Sequence, residues 1–182
     1  MIKPNASSDE FSSPFFKENE KICRKWEDFA KQNNGTISGT YNSWSYKLFI
    51  KIDQPNVYRI TVSKATYSSG NLLLSTKYQS LQEHITIQLK TTASGAFKIK
   101  RASWRELFSG KVSRSLEINP YYSIIGKGNS SLIENIATVL KDHFKAKRVM
   151  ELHLKDGILT IKLNNSNHDF ERIQALLDAP LH

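Results

Sequence analysis

The chain has 182 residues, 39% of them hydrophobic and spread along its length, which suits one folded domain rather than a disordered chain. A single cysteine excludes an intramolecular disulfide, and no apolar run approaches the roughly 20 residues of a membrane helix. The formal net charge of +9 points to anionic partners: nucleic acid, anionic lipid or an acidic protein.

Residues 1–12 are rich in Ser, Asn and Asp and read as a loose N-terminal arm. The opening MIKPNASSDE lacks the apolar stretch of a secretory signal, so none is expected. Ser13-Pro14 then gives a helix start, with Ser as the cap and Pro at the first helical position. Phe15, Ile22, Cys23, Trp26, Phe29 and Ala30 keep helical spacing, and Asn34-Gly35 provides the stop, so the helix spans 13–34. Cys23 reads as a small buried core residue.

From Thr36 to Lys100 the period changes to two, within a β-rich region over 36–125. Tyr46, Leu48, Ile50 and Ile52 alternate with Lys47, Phe49, Lys51 and Asp53; Tyr58, Ile60 and Val62 and then Ile85, Ile87 and Leu89 do the same. Residues 72–78 and 96–100 also read as strands. Short polar breaks between half-polar strands predict an antiparallel meander with one wet face, without room for parallel crossovers. Ser103 can cap a short helix holding Trp104, Leu107 and Phe108, and strand pattern returns at 115–125.

The stretch 131–177 reads as helix, hairpin, helix. Ser131 and Glu134 fit a capping box before the stripe Ile133, Ile136, Ala137, Leu140 and Phe144. Two alternating runs, 149–155 and 158–164, flank Asp156-Gly157, a dipeptide suited to a type I′ turn. That turn predicts Leu154 opposite Leu159, Leu152 opposite Ile161 and Met150 opposite Leu163, with His153 facing outward. A last helix starts near Asp169 and carries Phe170, Ile173, Leu176 and Leu177 on one side.

The order F-K-I-K-R-x-S-W at Phe97 to Trp104, the Leu107-Phe108 helix, the strand at 121–125 and the terminal helix-hairpin-helix resembles an uncharacterised group of bacterial domains that often follow predicted membrane helices. The resemblance covers roughly 97–177. It implies a fold and a bacterial setting, and it transfers no activity and no site residues.

Chemistry-bearing motifs are sparse. His84, His143, His153, His168 and His182 are dispersed without metal-ligand spacing and read as surface residues, and no C-x-x-C is possible. No nucleophile motif or Walker spacing occurs; Gly126-Lys127-Gly128 reads as a strand-to-helix turn. The strongest candidate is the basic segment from Lys90 to Arg114, where Lys98, Lys100, Arg101, Arg105, Lys111 and Arg114 are set against the single acid Glu106. Phe97, Trp104 and Phe108 are interleaved, a pattern that serves single-stranded nucleic acid or an anionic membrane surface. The competing reading places Phe97, Ile99 and Trp104 in the core and the charges in solvent.

The reading as a whole is an α+β fold over 13–182: a mostly antiparallel, twisted sheet packed by a long N-terminal helix and two C-terminal helices around a β-hairpin. A soluble, cytoplasmic, non-enzymatic binding or scaffold domain with no metal and no cofactor is expected. Nucleic-acid binding and peripheral membrane association are the two alternatives.

Overall fold

Period-two stretches become strands and period-3.6 stretches become helices in the computed structural model, which describes residues 1–54, 56–65, 82–102, 121–127, 130–164 and 168–179. The fold is α+β with mostly antiparallel strand pairing. The chain divides into two compact units. The first is Met1–Gln54 with Arg59–Ile85, and the second is Pro55–Tyr58 with Thr86–His182. Each has its own helical cover, which is why each forms a core of its own. The predicted strand at 72–78 and the predicted short helix with Trp104, Leu107 and Phe108 lie outside the described residues.

In the first unit Ser13 stands at the N-cap position of α1 (Pro14–Gln32) without a side-chain hydrogen bond to the helix, and Pro14 opens it, where the missing N–H would be unpaired anyway. The buried stripe is Phe16, Asn19, Cys23, Trp26 and Ala30, joined by Phe29. Phe15, expected inside, is 58% exposed, and Ile22 is only half-buried. Asn19 sets the phase of the stripe, and a count of apolar residues passes over it. Asn34 takes φ 51°, and the Gly35 N–H donates to the Ala30 carbonyl at 2.7 Å, which ends the helix.

Strands β2 (Thr36–Tyr41), β3 (Tyr46–Lys51) and β4 (Val57–Ala65) follow, β4 entering this unit at Arg59. Pairs Leu48↔Val62 and Ile50↔Ile60 put all four side chains on the buried face, as the alternation predicts. The loose arm is corrected: β1 (Ile2–Pro4) pairs with β2, and the Asn5 N–H donates to the Tyr41 carbonyl at 2.7 Å. That pairing is parallel, and the long crossover it requires is α1 itself. A 3-10 turn at Ser8–Ser12, closed by a capping box between Ser7 and Glu10, joins the two.

The second unit carries part of β5 (Gln82–Lys90), then β6 (Ala96–Arg101), β7 (Tyr122–Lys127), β8 (Val149–Lys155) and β9 (Ile158–Asn164). Its strand order is β5-β9-β8-β6-β7, so the expected meander stops at β5. The β8–β9 hairpin sits between β5 and β6. Leu159, Thr160 and Ile161 are buried in succession, and such a strand is better paired on both edges than left at a sheet edge.

Asp156 and Gly157 take φ 51° and 71°, the signature of the predicted turn. Leu154↔Leu159 and Leu152↔Ile161 pair as expected. Beyond them a bulge between Val149 and Glu151 shifts the register, so Val149 rather than Met150 lies opposite Leu163. Val149 is fully buried and Met150 is 39% exposed.

Helices α2 (Ser130–Val139), α3 (Lys141–Lys145) and α4 (Phe170–Leu177) complete the unit. Ser131 is the second residue of α2, so the helix starts ahead of the predicted cap. The single predicted helix to Phe144 breaks at Leu140, yet the Leu140 N–H still donates to Ile136 and the Phe144 N–H to Leu140. The stripe Leu132, Ile133, Ile136, Leu140 and Phe144 therefore stays in phase and buried, with Phe144 edge-on to Tyr122 at 4.9 Å. Asp169 caps α4 by accepting from the Arg172 N–H at 3.2 Å.

Candidate functional site

Alternation along β6 separates the basic residues singled out in the sequence. Phe97 and Ile99 are buried, so Lys98 and Lys100 share the outward face while Arg101 falls on the helix-covered side, at the strand end opposite Tyr122. There Arg101 opposes the upward push that burial gives the Tyr122 phenol, whose hydroxyl donates to the Val149 carbonyl at 2.9 Å. Arg105, Lys111 and Arg114 lie outside the described residues. Lys98 is not free for a ligand: its Nζ lies 3.1 Å from Glu151 Oε1. The same carboxylate lies 3.0 Å from His153 Nδ1 and 3.8 Å from Lys162 Nζ. Burial raises the Glu151 carboxyl, but the Lys98 hydrogen bond and the Lys162 charge outweigh it and hold the group below the usual carboxylate range. The outward face of the second unit is thus organised around one acid.

The first unit has a different outward face. Pairs Thr36↔Lys51, Ser38↔Phe49 and Thr40↔Lys47 join β2 to β3, and Lys47↔Ser63 and Phe49↔Thr61 join β3 to β4. Residues paired in register point to the same side, and Arg59 continues the outward series of Thr61 and Ser63. These nine positions hold three basic residues, five hydroxyl residues and Phe49, and no acid. Phe49 is 38% exposed at the centre of the face, with the Lys47 ammonium 5.3 Å from its ring centroid. The Lys47-x-Phe49-x-Lys51 spacing was legible as a strand, but its basic residues read only as solvated.

A cleft of about 250 Å³ lies at the Lys47 end of this face, lined by Thr40, Ser45, Tyr46, Lys47, Ser63 and Lys64 among others. Lys64 belongs to the buried face, in register with Tyr46, and is only 8% exposed. Its Nζ donates to Asn19 Oδ1 at 2.9 Å, and Asn19 Nδ2 donates to the Asn42 carbonyl at 2.8 Å. The Tyr46 hydroxyl donates to Glu83, which is also buried. Sequence reasoning missed this quartet, although each member continues a legible pattern. Asn19 sits on the α1 stripe, Lys64 follows Ile60 and Val62, and Glu83 precedes Ile85 and Ile87. Two pairs thus satisfy the buried polar groups: Asn19 with Lys64, which fastens α1 to β4, and Tyr46 with Glu83, which links β3 to β5.

His143 and Cys23 also have perturbed protonation. His143 is buried rather than exposed as expected, because Leu140, His143 and Phe144 share the inner side of the helix. Burial, followed by Arg172, lowers its imidazole below the ordinary 6.5. Burial, aided by Glu27 and Glu20, pushes the Cys23 thiol up to about 12, which makes it a poor nucleophile. Cys23 borders a cleft of about 460 Å³ walled by Glu20, Glu27 and Asp28, with Arg24 held on Glu20 at 2.8 Å. Gly126 and Lys127, expected in a strand-to-helix turn, belong to β7; a Cβ on Gly126 would meet the Ala96 carbonyl at 2.4 Å. Among the described residues no group of three or more His, Cys, Asp or Glu could hold a metal ion, and no helix is long and apolar enough to cross a membrane. No protein-family model matches the chain, and no curated protein matches it.

Proposed function

We propose that this protein is a non-enzymatic binding domain whose partner is an anionic polymer or surface, met by the outward face of β2, β3 and β4. The observation that carries the reading is the acid-free set of outward positions there, with Lys47, Lys51 and Arg59 projecting beside hydroxyl groups. Exposed cations that are not ion-paired keep more of their attraction for a polyanion than ion-paired ones, which have part of it cancelled. The net charge of +9 supports the same partner class. The resemblance of residues 97–177 to bacterial domains, together with the single cysteine, supports a bacterial cytoplasmic setting.

The test is retention on immobilised heparin. Replacing Lys47, Lys51 and Arg59 by Gln should lower the eluting salt concentration more than replacing Lys17, Lys21 and Lys25, which are exposed on α1. Equal shifts from the two triple variants would mean that only net charge matters and that the face is not a site.

A further inference from the structure

We infer that the β2–β3–β4 face is a stacking platform for single-stranded nucleic acid, an inference that rests on the anionic-partner reading above and names the partner. A polyanion in general requires only the cations. Phe49 requires something more: it sits at the centre of the wet face, 38% exposed, where alternation offers every advantage to a polar residue. Its register partners are Ser38 and Thr61, small hydroxyl residues, and the Lys47 ammonium lies over the ring. Lys47 and Lys51 flank it two residues away on the same strand, about 7 Å to either side at the usual strand rise. One nucleotide can thus place its base on the Phe49 ring and its phosphates beside the two ammonium groups. The Lys47 ammonium already lies 5.3 Å from the ring centroid, so ring and cation are within reach of the same nucleotide.

The surroundings of Phe49 separate this partner from a membrane. A bilayer favours apolar side chains that protrude together, whereas Phe49 is the single ring among the nine outward strand positions, set among hydroxyl groups that can donate to phosphate or sugar oxygens. A duplex offers no free base face, so single strands are the preferred form.

The experiment is fluorescence anisotropy with a labelled oligothymidylate, run beside heparin, a duplex of equal length, and phosphatidylserine vesicles, for the parent, Phe49→Ala and Phe49→Trp. Phe49→Ala should weaken oligothymidylate binding by about 5- to 150-fold, change heparin binding by less than about twofold, and leave the melting temperature near the parent's. Phe49→Trp should restore or exceed parental affinity for the single strand. Equal losses on heparin and oligothymidylate, no loss on either, or a loss confined to vesicles would each overturn the stacking platform while leaving the anionic reading in place. Absence of salt-dependent binding of the parent to any of the four probes would remove the anionic reading itself.

Discussion

In the first unit, Lys47, Lys51 and Arg59 project from the sheet with no carboxylate among the outward positions of β2–β4; in the second, Lys98 and Lys162 close on Glu151. Both faces come from the same alternation of apolar and basic residues. Two residues bear most on an anion: Glu151, which neutralises lysines in the second unit, and Phe49, which stands between two lysines in the first. Charge totals therefore say little about where an anion can bind, and the register partner of each lysine says more. The inner layers differ in the opposite sense. The first unit buries Asn19, Tyr46, Lys64 and Glu83, while the second fills the inner face of β6, β8 and β9 with aliphatic and aromatic side chains.

The largest expected effect probes the inner layer of the first unit. Asn19→Ala removes the acceptor of the buried Lys64 ammonium and the donor to the Asn42 carbonyl. A buried charge left without its partner costs about 3–5 kcal/mol, to be read from denaturant melts. A loss below about 1 kcal/mol would mean that water replaces Asn19 and that the cluster is wetter than its burial implies.

Next comes the hairpin of the second unit. Leu152→Ala should cost about 2–5 kcal/mol. Met150→Ala, extruded by the bulge, should cost under about 1 kcal/mol. Comparable losses would restore the regular register, with Met150 inside.

A smaller effect should appear in the pH dependence. His143 has a folded pKa below its unfolded 6.5, so the unfolded chain takes up the proton more readily. Its contribution to stability is complete above that pH and is lost as pH falls towards the depressed folded value. The parent should therefore lose more melting temperature between about pH 7 and about pH 5 than His143→Leu does. Parallel profiles would show that the imidazole finds a charged partner as it protonates.

Legibility followed the physics of each signal. Helical and strand periods are local, so α1, the strands with strict alternation and the Asp156-Gly157 turn could be read directly. The Met150 bulge could not, because Val149 and Met150 are both apolar and either fits opposite Leu163. The placement of the hairpin between β5 and β6 is a long-range choice that no local pattern encodes. The buried quartet was hidden by the premise that inner positions are apolar, although its members keep period. The sequence did mark basic residues as the outward signal. It pointed to Lys98, Lys100 and Arg101, because charge density along the chain is visible there and ion pairing across strands is not.

The smallest expected change in stability tests that last point most directly. Glu151 is partly exposed, and exposed ion pairs contribute about 0–1 kcal/mol, so Glu151→Gln should melt close to the parent. Its effect on charge is larger. Lys98 and Lys162 lose their shared anion, and the outward face of the second unit becomes as uncompensated as that of the first. If compensation is what separates the two faces, affinity for a single-stranded oligonucleotide should rise. The slope of log K against log salt should then steepen by about 0.7 for each phosphate newly engaged. If affinity and slope stay at parental values, freed lysines alone do not make a binding face. The distinction would then rest on Phe49, since the exposed apolar residue in register with Lys98 is Ile125, which has no ring for a base to stack on.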